Sequence, residues 1–343
     1  MKQVWITEKG APHVLQVREA PEPGAGAGQV RIRVAFAGIN FADIQARMGQ
    51  YPDAPPIPCV VGYEVSGVVD QVGEGVSGFS EGDRVLTFTR FGGYSEAVVV
   101  DASWVHKVPE GISLQAAAAV PVNYATAWTM LIRLGALRPG ETVLIHSAGG
   151  GVGIAALQIC QWRGATAIGT ASAGKHARLR ELGYAHCIDY RSQDFEKETL
   201  NYTGGRGVDV VLDPQGGNSF RKSYRCLAPL GRLFMFGVAD SVQGERMQPL
   251  ALLRALVTTP MFHPLALLNS NRGVFGTNMG RLFDQFDRLT PDMIEIVDLL
   301  GEGVLRPAVD RVFPFAQAPA AHHYIQERRN FGKVLLSAAD DAG

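Results

Sequence analysis

Short apolar runs set the pattern of the first third of the chain. Val30 to Ala37, Val65 to Val72, Val85 to Phe88 and Ala97 to Val100 have strand length, and Gly, Pro and Asp turns separate them. Over residues 1–121 this spacing predicts a small, irregular β-barrel. The pattern then changes. Apolar runs alternate with helical stretches at Thr142 to His146, Ala165 to Thr170, Cys187 to Tyr190, Val208 to Leu212, Gly231 to Gly237 and Gly273 to Gly276. Such alternation predicts an α/β domain with a doubly wound parallel sheet. At the tail, Val309 to Pro314 and Lys333 to Leu336 return to the strand pattern and are expected to pack back onto the first segment. The expected domains are residues 1–121 with 279–343, and residues 122–278.

One heptapeptide organises the middle of the chain. Ser147-Ala148-Gly149-Gly150-Gly151-Val152-Gly153 follows the apolar Val143-Leu144-Ile145 and precedes a helical pattern from Ile154 to Trp162. Strand, glycine turn and helix together form a phosphate cradle. Glycines let the backbone turn sharply and approach a pyrophosphate, while the positive end of the helix faces its charge. Gly150, Gly151 and Val152 are the expected contacts. A tight turn without a ligand uses the same glycines, but the next strand completes a strand-helix-strand unit of dinucleotide-binding length. That strand ends in Ala171-Ser172-Ala173-Gly174-Lys175. An Asp or Glu here would accept from a ribose 2′-hydroxyl. Ser172 and Lys175 suit a 2′-phosphate, which predicts NADPH as the cofactor; the alternative is a solvated lysine opening a helix.

Composition narrows the class. With 343 residues, 46% of them apolar, 40 glycines and a net charge of −1, the chain has core enough for two domains. It has no basic run, which argues against nucleic acid as a partner and for a small-molecule enzyme. Cys59, Cys160, Cys187 and Cys226 form neither a CxxC pair nor a disulfide framework, and Met1 to Gly10 lacks a signal-peptide core, so the expected compartment is the cytoplasm. Leu250 to Leu268 is the most lipid-like stretch, but Arg254, Pro260, His263 and Pro264 make it unsuited to a transmembrane segment. It remains open as a helix covering the sheet, an apolar wall beside the substrate, or an interfacial membrane contact.

Several motifs together resemble the medium-chain dehydrogenase/reductases. They are Ala37-Gly38-Ile39-Asn40-Phe41-Ala42-Asp43, Gly62-Tyr63-Glu64-Val65-Ser66-Gly67-Val68-Val69, Gly82-Asp83-Arg84-Val85, the glycine cradle, and Asn330-Phe331-Gly332-Lys333-Val334-Leu335-Leu336. Within that superfamily they are similar to the zinc-free quinone oxidoreductase branch and its vesicle-amine-transport-1-like members. The resemblance implies a GroES-like catalytic domain built from both chain ends, a Rossmann domain, NADPH in the cleft between them, and a homodimer. Position by position, it implies cofactor contacts at Asn40, Thr126, Tyr190, Phe236, Gly237, Asn330 and Lys333.

The places where zinc-dependent members carry metal ligands hold Asn40, Tyr63 and the neighbourhood of Val122 and Asn123, and residues 90 to 115 contain no cysteine. Amides and phenols are poor zinc ligands, so no metal is expected. Without a Lewis acid, the easier chemistry is reduction of a quinone or of a carbon-carbon double bond conjugated to a carbonyl, including enoyl thioesters. Hydride adds at the β carbon, charge moves to the oxygen, and a proton follows. Tyr51, in Gly49-Gln50-Tyr51-Pro52, resembles the proton donor of enoyl-thioester reductases. Either its phenol gives the proton, or it stacks on substrate while water does. Asn40 either donates through its amide or is structural, and Tyr63 either packs or takes part in catalysis. Asp43 is expected to orient its neighbours, Asp213 and Gln215 either to line a strand edge or to be loop residues with no ligand, and His322 and His323 to be surface residues. The competing function is a low-turnover NADPH-binding protein that acts through a partner or a membrane. Assembly is expected through the strand near Arg272 to Asn278, whose apolar edge would otherwise be unpaired.

Overall fold

The computed structural model describes residues 1–239 and 257–339; residues 250–256 of the Leu250 to Leu268 stretch therefore lie outside the described residues. In chain order the strands are β1 (Lys2–Ile6), β2 (Leu15–Glu19), β3 (Gln29–Gly38), β4 (Cys59–Val60), β5 (Glu64–Val72), β6 (Arg84–Phe88), β7 (Ala97–Asp101) and β8 (Val105–Lys107). They continue with β9 (Thr142–Ile145), β10 (Thr166–Ala171), β11 (His186–Asp189), β12 (Val208–Asp213), β13 (Leu227–Met235), β14 (Gly273–Gly276), β15 (Val309–Pro314) and β16 (Lys333–Ser337). The helices that matter for the site are α1 (Phe41–Arg47), α2 (Pro121–Trp128), α3 (Gly151–Trp162), α4 (Pro264–Ser270), α5 (Phe286–Gly301) and α6 (Ala318–Gln326).

The described residues divide into two compact units, one of residues 1–125 and 279–339, the other of residues 126–239 and 257–278. The first division falls inside α2, a few residues beyond the 121/122 boundary expected from the pattern. The first turn of α2 belongs with the first unit because Tyr124 lines an apolar crevice there with Ile296, Leu300 and Leu305.

In the first unit a seven-stranded sheet runs β15-β16-β3-β5-β6-β8, with β7 also paired to β3, beside a three-stranded sheet β2-β1-β4. The tail closes onto the start of the chain: β16 pairs antiparallel with β3, setting Leu335 opposite Gly38 and Leu336 opposite Ala37. Alternate apolar positions of β3 and β5, including Val30, Ile32, Val34, Val65 and Val69, are buried in one core, as period-two patterning of a half-buried sheet requires. The second unit is a single six-stranded sheet in the order β11-β10-β9-β12-β13-β14, with every pairing parallel. Its strands are apolar almost throughout, the signature of a sheet covered on both faces. The order reverses between β9 and β12, so the carboxyl ends of these two strands flank the switch point at which open α/β sheets take ligands.

Candidate functional site

In the second unit the glycine cradle sits at that switch point. The chain leaves β9 through His146 and Ser147, whose backbone is left-handed with φ of 55°, and enters α3 at Gly151. Gly150 is the N-cap, and no side chain caps the helix. The first-turn N–H groups, which have no intrahelical acceptor, thus face outward at the positive end of the helix. Gly153 is required by packing, since a Cβ there would lie 2.6 Å from the carbonyl oxygens of both Ser147 and Ala148.

Parallel strands bring the other candidates of this unit to the same edge. Ser172 and Lys175 follow β10, Tyr190 follows β11, and Phe236 and Gly237 follow β13. Thr126 is buried on α2. Asp213, expected to line this edge, is fully buried. Its carboxylate accepts from the Gln215 backbone N–H (2.7 Å), the Ser219 hydroxyl (2.7 Å) and the Ser223 hydroxyl (2.7 Å). It anchors the loop after β12, while Gln215 donates through its amide to Ser147 at 2.8 Å.

In the first unit the motif Gly62-Tyr63-Glu64 sends three consecutive residues to three different tasks. Glu64 is fully buried and paired with the ammonium of Lys333, itself only 3% exposed. Lys333 Nζ also donates to Asn40 Oδ1 at 2.7 Å, and Asn40 Nδ2 donates to Glu64 Oε1 at 2.9 Å. The second oxygen of Glu64 accepts from the Val122 N–H at 2.8 Å. Gly38 leaves room for this triad, because a Cβ there would lie 2.6 Å from Glu64 Oε1 and 2.7 Å from Lys333 Cε. The charges balance and every strong acceptor is satisfied, which is what permits an ion pair to be buried. Asn40 therefore spends both ends of its amide inside the unit, and sequence reasoning missed Glu64 as its partner.

Gly62 offers its N–H to Asp43 Oδ1 at 3.0 Å. Asp43 Oδ2 accepts from the Asn40 N–H (2.7 Å) and the Tyr94 hydroxyl (3.0 Å). Burial pushes the Asp43 carboxyl up to about 7, against these donors and the Lys333 charge. Tyr94 in turn meets His322 Nε2 at 3.3 Å, and His322 Nδ1 meets the buried Arg47 guanidinium at 3.5 Å. Because Arg47 can only donate, His322 Nδ1 accepts and Nε2 carries the proton. His322, expected on the surface, is fully buried; burial, with Arg47 adding to it, holds its imidazole neutral. His323 is exposed and faces Glu327.

Tyr63 enters an aromatic cluster. Its ring centroid lies 5.1 Å from Phe91, 6.1 Å from Tyr51 and 6.4 Å from Phe283. The loop bearing Tyr51 is tied to the segment bearing Phe283 by a two-pronged pair in which Arg281 donates to Asp53 at 2.8 and 3.0 Å. The structure thus groups Asn40 with Lys333, and Tyr51 with Tyr63. Asn330 makes a local bond, its amide donating to the Gly332 carbonyl at 3.0 Å. Among the described residues, no three His, Cys, Asp or Glu side chains gather as metal ligands, and no helix is long and apolar enough to cross a membrane.

A barrel-like unit built from both chain ends, joined to a six-stranded parallel sheet with a glycine cradle at its switch point, defines a two-domain dehydrogenase/reductase. Residues 26–110 match the alcohol dehydrogenase GroES-like domain, and residues 182–336 match the zinc-binding dehydrogenase family. The synaptic vesicle membrane protein VAT-1 homolog of Rattus norvegicus is 41% identical over 94% of this chain and 80% of its own length. The chain belongs to the medium-chain dehydrogenase/reductase superfamily, in the quinone-oxidoreductase-like branch that includes the VAT-1 homologues. Among solved structures, the Escherichia coli quinone oxidoreductase complexed with NADPH superposes with a TM-score of 0.86 at 28% identity, covering 98% of this chain and 100% of that one. The CurK enoyl reductase does so with a TM-score of 0.85 at 29% identity, covering 98% of each.

Proposed function

We propose that this protein is an NADPH-dependent reductase of quinones and of double bonds conjugated to a carbonyl, including enoyl thioesters, and that it works without a catalytic metal. The observation that carries the proposal is the start of α3 at the switch point, which no side chain caps, followed by a β10 tip with Ser172 and Lys175 and no carboxylate. Such a site fits a pyrophosphate and a 2′-phosphate. Gly150, Gly151 and Val152 would hold the former, and Ser172 and Lys175 the latter. Tyr190 would flank the adenosine end, with Thr126, Phe236, Gly237 and Asn330 completing the contacts.

When bound, the reduced nicotinamide supplies the hydride. The chain's own contribution is orientation and proton supply. Asn40, fixed by Glu64 and Lys333, presents a rigid polar wall, and Tyr51 supplies the proton that follows hydride addition. Both the E. coli quinone oxidoreductase and the CurK enoyl reductase support this class of acceptor. The test is stopped-flow loss of NADPH absorbance across quinones, enones and enoyl thioesters. Turnover with at least one class, and stronger use of NADPH than of NADH, is the expected result. NADPH binding without turnover of any acceptor would overturn it in favour of a protein that acts through a partner or a membrane.

A further inference from the structure

The Tyr63 hydroxyl has no task in the chemistry above. Its residue is only 5% exposed, and its oxygen has no hydrogen-bond partner. Buried hydroxyls are nearly always paired, and an unpaired one is unfavourable where a phenylalanine would fill the same space. The two residues on either side are fully employed, Gly62 holding Asp43 and Glu64 holding Lys333. Tyr63 alone presents an unused donor, and it does so among Tyr51, Phe91 and Phe283. Tyr51 and Phe91 are only half-buried, so this wall is open to a ligand from their side. Flat rings stack favourably on such a surface.

We propose that Tyr63 is the substrate-recognition donor of this protein, hydrogen-bonding the carbonyl oxygen of a planar, aryl-bearing enone or quinone whose ring packs against Tyr51, Phe91 and Phe283. The proposal rests on the reductase function proposed above and names its substrate class. Burial first, and then the Tyr51 phenol, raise the Tyr63 ionisation far above that of a free tyrosine, so the group stays a donor. When hydride arrives at the β carbon, the electron pair of the double bond moves toward the carbonyl oxygen. That oxygen becomes an enolate held by the Tyr63 O–H, and the α carbon then takes the proton of Tyr51. The two phenols divide the work, one holding charge and the other giving a proton.

The experiment compares wild type, Tyr63→Phe and Tyr51→Phe with benzylideneacetone and its ring-less counterpart ethylideneacetone. Turnover is followed by NADPH loss, and binding of benzylideneacetone by titration calorimetry. The wild type is expected to favour the aryl enone. Tyr63→Phe is expected to melt at the same or a higher temperature, to bind NADPH as before, to bind benzylideneacetone several-fold more weakly, and to lose about 10²-fold in kcat/KM, the scale of one oxyanion donor. Tyr51→Phe should lower kcat while leaving benzylideneacetone binding near wild type. Unchanged binding and kcat/KM in Tyr63→Phe would overturn the proposal and leave the reductase function standing. A lower melting temperature would also overturn it, because the hydroxyl would then have an internal partner. Binding that depends on Tyr63, with no turnover by wild type of these enones or of the quinones and enoyl thioesters above, would sustain the recognition role and overturn the reductase. Neither binding nor turnover of the two enones would overturn the recognition role, and the reductase function would fall with it only if quinones and enoyl thioesters were not turned over either.

Discussion

Lys175 is the residue on which the proposed preference for NADPH over NADH would turn. Of the groups that distinguish the two nucleotides its ammonium would meet the 2′-phosphate, a charge-assisted contact worth about 1.5 to 3 kcal/mol. Lys175→Ala should therefore weaken NADPH binding by roughly 10- to 150-fold and leave NADH binding nearly unchanged. Fluorescence titration with both nucleotides checks this, and an equal loss for the two would remove Lys175 as selector. His106 on β8 tests how burial couples to pH. It is buried with Nε2 unpaired, and burial lowers its ionisation from 6.5 to about 4. Between those values the unfolded chain binds more protons than the folded one, so stability falls as pH drops through that window. The loss reaches about 3 kcal/mol at the low end. In urea melts at about pH 7 and about pH 4.5, the wild type should lose more stability than His106→Leu; equal losses would contradict the burial argument. At this scale the position of Ser172 and Lys175 just past β10 was legible because a strand end followed by a helix start is local information. His322 was not. Its polar character suggests a surface, whereas Arg47 and Tyr94, distant in sequence, make a dry site for it.

Among elements, the start of α3 is the most constrained. A methyl at Gly153 would press on two backbone carbonyls that are held by the turn itself and cannot swing away. Gly153→Ala should cost about 1 to 3 kcal/mol of stability and loosen NADPH binding by distorting the cradle. A thermal melt with a nucleotide titration measures both; an unchanged melt would show that the turn relaxes. Strand existence was legible for twelve of the sixteen described strands, because β-rich runs bounded by turns have few alternatives; β1, β2, β4 and β8, among them the whole three-stranded sheet, were not foreseen. Boundaries were less so. The helix expected from Ile154 begins at Gly151, since glycines read as turn until a fold places them in a helix's first turn. The strand expected from Gly231 to Gly237 runs from Leu227 to Met235 instead. Pro229 and Leu230, with Leu230 at a φ of 66°, break the apolar pattern near its start. At its end Phe236 turns its N–H to the Asp213 carbonyl.

For the whole molecule, the open question of assembly rests on β14. It is the last strand of the six-stranded sheet, and among the described residues its outer edge has no partner strand. Val257, Met261, Leu265 and Leu268 of the same unit are more than half exposed. An unpaired edge beside apolar surface is a template for a second copy. The expected outcome is a homodimer in light scattering at micromolar concentration, and a monomer there would remove the idea.

The sequence by itself determined that there would be a mixed β unit made from both ends of the chain and a parallel α/β unit between them, because side-chain period and glycine placement are local properties of a strand or a turn. It also determined where the glycine turn between β9 and α3 and the acid-free tip of β10 would lie. Only the tertiary structure decided which polar groups are spent and which are left over. Glu64 faces Lys333 across more than two hundred and fifty residues of chain, and that pairing occupies Asn40, while Tyr63 beside it is left with an unsatisfied hydroxyl. Hydrogen-bond satisfaction depends on who is adjacent in space, and no spacing along the chain encodes it.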